Sequence, residues 1–100
     1  MSPRALIWSA RARRELREIG EYIALDKPLA ARQWVETLAA VAERATELPF
    51  AGRRVPEYER DDVREMIKRG YRVIYRVSDT QVEIITVSEG HRLLPSDPDR

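Results

Sequence analysis

Residues 63–89 read VREMIKRGYRVIYRVSDTQVEIITVSE, three runs of β-branched and aromatic residues separated by Lys68-Arg69-Gly70 and Asp79-Thr80. Such runs with turn residues between them predict a three-stranded antiparallel meander. A three-residue loop at Lys68-Arg69-Gly70 suits the first turn, because Gly70 then takes the left-handed position. A two-residue loop would instead force Arg69 to positive φ. In that register Ile67 faces Tyr71, and Val63, Ile67, Tyr71, Val73, Tyr75 and Val77 share the core side of the sheet. Glu65 falls on that side too, which requires a nearby sheet edge and water. A turn centred on Asp79-Thr80 sets Val77 opposite Val82, Tyr75 opposite Ile84, and Arg76 opposite Glu83 as a cross-strand ion pair.

The other side of the meander then carries Arg64, Met66, Arg72, Ile74, Arg76, Ile85, Val87 and Glu89. A face that only met water would be mostly polar. Four apolar residues among three arginines predict a surface that something else covers.

The rest of the chain supplies the helices needed to cover one face of this sheet. Arg4 to Trp8 is a short strand-like run, and Ser9 is placed to cap a helix from Ala10 to about Leu25. Ala12, Leu16, Ile19 and Ile23 form its apolar face. Arg11 with Glu15, Arg14 with Glu18 and Arg17 with Glu21 stand four apart on its outside. Asp26-Lys27-Pro28 turns the chain into a second helix reaching Leu48, whose stripe is Trp34, Leu38, Val41, Ala45 and Leu48. Its many alanines permit close approach of the two helices as an antiparallel hairpin. Pro49 to Asp62 is an irregular connection, and Ser96 to Arg100 resembles a frayed end.

One hundred residues make one domain with a modest core, spanning 1–100. With no cysteine and one histidine, neither a thiolate site nor a multi-histidine metal site is available, and no cofactor is implied. The N-terminal apolar run is too short for a signal peptide, and no transmembrane-length stretch follows, so a cytoplasmic chain without membrane contact is expected. The net charge of +1 conceals a division along the chain. Residues 49–76 hold eight basic and five acidic residues, a net +3, whereas residues 77–100 hold two and five, a net −3. A basic patch of that size meets phosphates or an acidic protein partner, but it is small for a DNA-binding domain.

The order of strand, helical hairpin and meander carries a series of short words. They are A-x-x-E-L-x-E-I-x-x-Y-I-A from Ala12, P-x-A-G-R-x-V-P-E from Pro49, R-E-x-I from Arg64, Y-R-V-I-Y-R-V from Tyr71 and G-H-R-L-L-P from Gly90. Spread over about nine-tenths of the chain, this series resembles the ParE/RelE superfamily of type II toxin–antitoxin toxins. The resemblance implies an α+β fold in which the helical hairpin packs on an antiparallel sheet. It also implies a toxin neutralised by a cognate antitoxin, with any DNA contact made only through that antitoxin. Members split by target: RelE-like chains cut mRNA on the ribosome, and ParE-like chains poison DNA gyrase.

RNA cleavage needs a base, an acid and cations for the phosphate. Arg64, Arg72 and Arg92 stand where RelE-like ribonucleases carry basic residues, so the three are candidates for holding a phosphate or a target. The chain departs from that pattern at Met66, where a second basic residue is usual, and in lacking a C-terminal tyrosine. His91 is the one residue that could titrate near neutrality as a base. ParE-like chains commonly carry a histidine immediately before the glycine, where this chain has Glu89. The expectation is therefore gyrase inhibition without covalent chemistry. The alternatives are a ribonuclease using Arg64, Arg72, His91 and Arg92, or an antitoxin-binding module that is no longer toxic. Arg53 and Arg76 are expected to be structural. The antitoxin is expected to cover Met66, Ile74, Arg76, Ile85 and Val87, and to lie in the groove beside the helical hairpin.

Overall fold

The computed structural model describes residues 4–90 and 92–99. A strand β1 (Ala5–Trp8) leads into helices α1 (Ala10–Ala24) and α2 (Pro28–Glu47). A single 3₁₀ turn at Pro49–Ala51 precedes a two-residue strand β2 (Arg53–Arg54), followed by β3 (Val63–Lys68), β4 (Tyr71–Val77) and β5 (Gln81–Glu89). The sheet has five strands in the order β1-β5-β4-β3-β2.

Ser9 fixes the junction between the first strand and the first helix. Its Oγ accepts from the N–H of Ala12 at 3.0 Å, as an N-cap should, and donates to the carbonyl of Ile85 at 2.9 Å. That second bond holds the start of α1 over β5, and β1 consequently runs parallel to β5. The sheet is mixed, where an all-antiparallel sheet was expected.

The meander forms as read from the sequence, but the register of its first hairpin differs by one residue. Lys68 pairs with Tyr71, so the loop is the two residues Arg69 and Gly70, with φ of 49° and 84°. Positive φ at both centres is the type I′ arrangement, whose twist matches the flanking strands. For arginine the left-handed conformation costs about 1 kcal/mol. Face assignment outweighs that cost. A one-residue shift exchanges the two sides of β3, turning Met66 toward the helices and Val63, Glu65 and Ile67 away from them. Glu65 thereby leaves the apolar helix side, where it would be a buried, unpaired carboxylate, and meets arginines on the opposite face.

The second turn keeps the expected register: Val77 pairs with Val82, Tyr75 with Ile84 and Arg76 with Glu83. Between Ile74 and Tyr75 of β4 the pairing then slips, and Ile74 lies opposite Thr86. Ile85 is the extra residue of a β-bulge. The bulge carries Val87 to the helix side, opposite Val73. Glu15 of α1 reaches this point: its Oε1 accepts from the Thr86 hydroxyl at 2.7 Å and from the N–H of Val87 at 3.2 Å. Glu15 is thus drawn to the sheet instead of pairing with Arg11, while Arg14–Glu18 and Arg17–Glu21 form on the solvent side.

Two cores result. The larger lies between the helices and the sheet and includes Ala12, Leu38, Ala42, Ala45, Val73, Tyr75, Val82, Ile84 and Val87. The smaller lies on the opposite face, where Val55, Val63, Ile74 and Ile85 are buried beneath Tyr58 and Leu94. The connection after β2 and the C-terminal segment therefore cover this face from within the chain. Tyr58 donates to the carbonyl of Pro95 at 2.5 Å, and Asp99 bridges Arg60 at 3.0 Å and Arg76 at 2.6 Å. The residues just before Arg100 are thus tied down and not frayed.

Candidate functional site

The one-residue shift decides where the arginines go. Alternation along β3 and β4 puts Arg72 on the far face with Glu65 and Arg64 on the helix side with Met66. On the far face Glu65 is buried, and its two oxygens are shared between Arg72 Nε at 2.5 Å and Arg53 Nε at 2.6 Å. Arg72 completes its hydrogen bonding with Glu57, Nη1 to Oε2 at 2.7 Å and Nη2 to Oε1 at 2.8 Å. The bidentate bond from Arg72 holds the Glu57 carboxyl at about 2, well below the usual carboxylate value, against a smaller opposing effect of burial. The same pairing, with Glu57 first, raises Arg72 still further above the range in which it loses its proton. Two cations and two anions make this cluster neutral. Arg53 has the acidic neighbour expected of a loop anchor.

Beneath the cluster, Gly52 passes so close to β3 and β4 that a Cβ there would lie 2.2 Å from the Tyr75 hydroxyl and 2.7 Å from the Glu65 carbonyl oxygen. Only glycine fits the crossing. The Tyr75 hydroxyl donates to the carbonyl of Pro49 at 2.5 Å, and burial pushes this phenol up to about 12.

Arg64 is bound differently. Nε donates to the carbonyl of Asp61 at 2.9 Å, Nη1 donates to that of Gly52 at 3.2 Å, and the guanidinium lies 5.1 Å from the centre of the Phe50 ring. Arg92 is exposed and lines a hollow between α1 and β5 with Glu15, Glu18, Tyr22, Tyr71 and Glu89. The three arginines that the sequence grouped around a phosphate are therefore divided between two faces and a separate hollow. His91 lies outside the described residues. Arg76 forms its expected pair with Glu83 at 2.8 Å and adds Asp99. Among the described residues, no group of acidic or imidazole side chains is arranged to hold a metal ion.

A second hollow, of about 530 Å³, opens beside the helical hairpin. Ile23 and Ala30 wall it, and Trp34 packs against Tyr71 with ring centres 5.6 Å apart. Arg69 sits at its edge, 5.5 Å over the Trp34 ring. At the turn between the helices Tyr22, Leu25 and Leu29 are 77%, 86% and 69% exposed. These three large apolar side chains lie close together in sequence around one turn and make it a candidate contact surface.

The family model for the ParE toxin of the type II toxin–antitoxin system, parDE, matches residues 6–94. The chain belongs to the ParE toxin family. "Putative toxin Y4kP" of Sinorhizobium fredii is 35% identical over 99 residues, which cover 95% of this chain and 97% of that protein. Two solved structures share the fold. One is from a chromosomal ParDE system of P. aeruginosa, with a TM-score of 0.72, 19% identity, and 86% of this chain and 95% of that one covered. The other is from the RelBE2 toxin–antitoxin complex of Mycobacterium tuberculosis, with a TM-score of 0.64, 21% identity, and 88% and 99% covered.

Within this ParE-family toxin, the meander face expected to lie open is largely covered by the chain itself. Ile74, Ile85 and Val87 are 0%, 3% and 1% exposed, and Met66 packs against the helix-side core. The far face is occupied by the chain's own Val55, Tyr58 and Leu94. Arg76 is engaged by Glu83 and Asp99. The expectation that these five residues form an open, uncovered surface is overturned. From the sequence, Trp34 falls in the helical stripe and Tyr71 on the core face, while Leu25 ends the first helix and Leu29 lies in the second with no surface role assigned to either. A signal was present for the last two, because large apolar residues immediately flank the polar turn Asp26-Lys27-Pro28. No helix among the described residues is long and apolar enough to cross a membrane.

Proposed function

We propose that this toxin is held by a cognate antitoxin and acts on DNA gyrase in the cytoplasm by protein–protein contact, without covalent chemistry and without touching DNA itself. The observation that carries the reading is the state of Arg72. Its guanidinium is buried and its donors are committed to Glu57 and Glu65, so it offers no free charge to a scissile phosphate. Arg64 is spent on backbone carbonyls on the other face. Glu57, held at about 2, is too weak a base to take a 2′-hydroxyl proton efficiently at neutral pH. The phenols of Tyr58 and Tyr71 are both pushed up, chiefly by burial, and so stay protonated. The neighbours from ParDE and RelBE2 systems support an antitoxin partner. The hollow beside the hairpin, with Tyr22, Leu25 and Leu29, is the surface that best suits one.

The test sets the purified toxin, freed of antitoxin, in two assays: gyrase supercoiling with a readout for trapped DNA cleavage, and translation with a readout for mRNA cuts. Gyrase inhibition with intact mRNA is expected. Ribosome-dependent cuts that vanish in Arg92→Ala or His91→Ala would establish the ribonuclease alternative, because changing exposed Arg92 leaves the buried clusters in place. Activity in neither assay, from free toxin that still binds added antitoxin, would leave a binding module.

A further inference from the structure

Burial of β3 fixes the two-residue loop, but nothing in that packing calls for an arginine at its first position. Arg69 is a non-glycine residue at φ 49° in the two-residue turn between β3 and β4, where asparagine, aspartate or glycine would be less strained. Strain of this kind, kept in place by the surrounding fold, is a reason to look for a function. Its side chain is exposed and lies over Trp34 at the edge of the hairpin hollow, with no ion-pair partner among the described residues. The hollow is walled by Ile23, Ala30, Trp34 and Tyr71, with the uncharged polar Gln33 and Thr37, and no carboxylate lines it. Its size is that of a site for one or two large side chains.

We infer that Arg69 is the specificity-determining cation of this hollow: it pairs with a carboxylate on an amphipathic segment of the antitoxin whose apolar side chain fills the space between Trp34, Tyr71 and Ile23. The inference rests on the antitoxin reading above and adds the chemistry of the segment. Charge complementarity selects this occupant. A basic segment would meet Arg69, with Lys68 adjacent, and be repelled. The aromatic pair supplies apolar contact, and the cation held over Trp34 supplies direction and register. The strained turn keeps the guanidinium at the rim before the partner arrives, so less ordering is needed on binding.

The substitution Arg69→Asn separates fold from recognition. Asparagine accepts the left-handed turn without strain and carries no charge. The full-length toxin and its Arg69→Asn variant are titrated with the purified cognate antitoxin, while Trp34 emission is followed in a Trp8→Phe background. Expected are an unchanged or raised Tm, affinity weakened tenfold or more at low salt, a gap that narrows as salt rises, and a Trp34 emission shift on binding by the parent. An Arg69→Asn affinity within twofold of the parent, or a Trp34 emission that binding does not move, would overturn the inference and leave the antitoxin reading standing. Failure of the parent itself to bind the antitoxin would overturn both.

Discussion

Arg72 grips Glu57 through both terminal nitrogens, at 2.7 and 2.8 Å, while its Nε reaches the buried Glu65 at 2.5 Å. One strand of the sheet is thereby tied to its neighbour β3 and to the loop that covers the far face. The consequences are measurable in the folded toxin alone.

Removing Glu65 leaves two arginines facing a buried gap. Breaking a buried ion pair from one side costs about 3–5 kcal/mol, and Glu65→Ala is expected to lose that much in urea unfolding. Replacing both charges together, as Glu65→Leu with Arg72→Met, is expected to recover much of the loss, because the desolvated charges are gone. A double variant less stable than Glu65→Ala would contradict this account of the cluster.

The depressed carboxyl of Glu57 predicts an acid limb. A group whose value is lower in the folded state adds stability above its ordinary value of 4.5 and loses that contribution as the pH falls from there toward about 2. Stability of the parent should decline across that window more steeply than stability of Glu57→Gln, which has no proton to take up. Parallel unfolding curves from pH 5 to pH 2 would remove Glu57 from the explanation.

Tyr75 should show the opposite limb. Its phenol is raised to about 12, so its contribution is complete below the ordinary value of 10 and disappears as the pH rises through 12. Tyr75→Phe leaves the Pro49 carbonyl without its donor and is expected to cost about 1–3 kcal/mol. Gly52→Ala, which drives a methyl into that same hydroxyl and the Glu65 backbone, is expected to destabilise at least as much by overpacking, about 1–3 kcal/mol. Thermal melts of the two variants at pH 7 check both values.

The C-terminal segment is expected to behave as part of the core. Deleting residues 93–100 removes Leu94 from the smaller core and the Pro95 carbonyl from Tyr58. The truncated chain should melt lower and bind a hydrophobic dye that the parent excludes. Ile74→Asp, at a fully buried position, should lose about 3 kcal/mol or more and so act through folding. If the truncation leaves both melting and dye binding unchanged, the far face is not covered in solution.

Much of this was legible from local chemistry. The Ser9 cap, the two helices, the Asp79-Thr80 turn and the Arg76–Glu83 pair all depend on neighbours in sequence or directly across a hairpin, where spacing determines contact. The order of those elements and the words they carry also identified the toxin family. What the residues could not decide alone was the choice between two loops at Lys68-Arg69-Gly70. Propensity favours the longer loop, which spares Arg69 its positive φ, and only burial across the whole sheet reverses that preference. That single shift moved Glu65 to the arginines, Met66 to the helices and Arg64 away from Arg72. The bulge at Ile85 did the same to Val87, and the closing of the C-terminal segment over Ile74 converted an expected docking face into core. Pattern and capping thus set the elements and their order, whereas the sides they present follow from tertiary burial, because a strand changes faces with every residue and no local signal counts the offset.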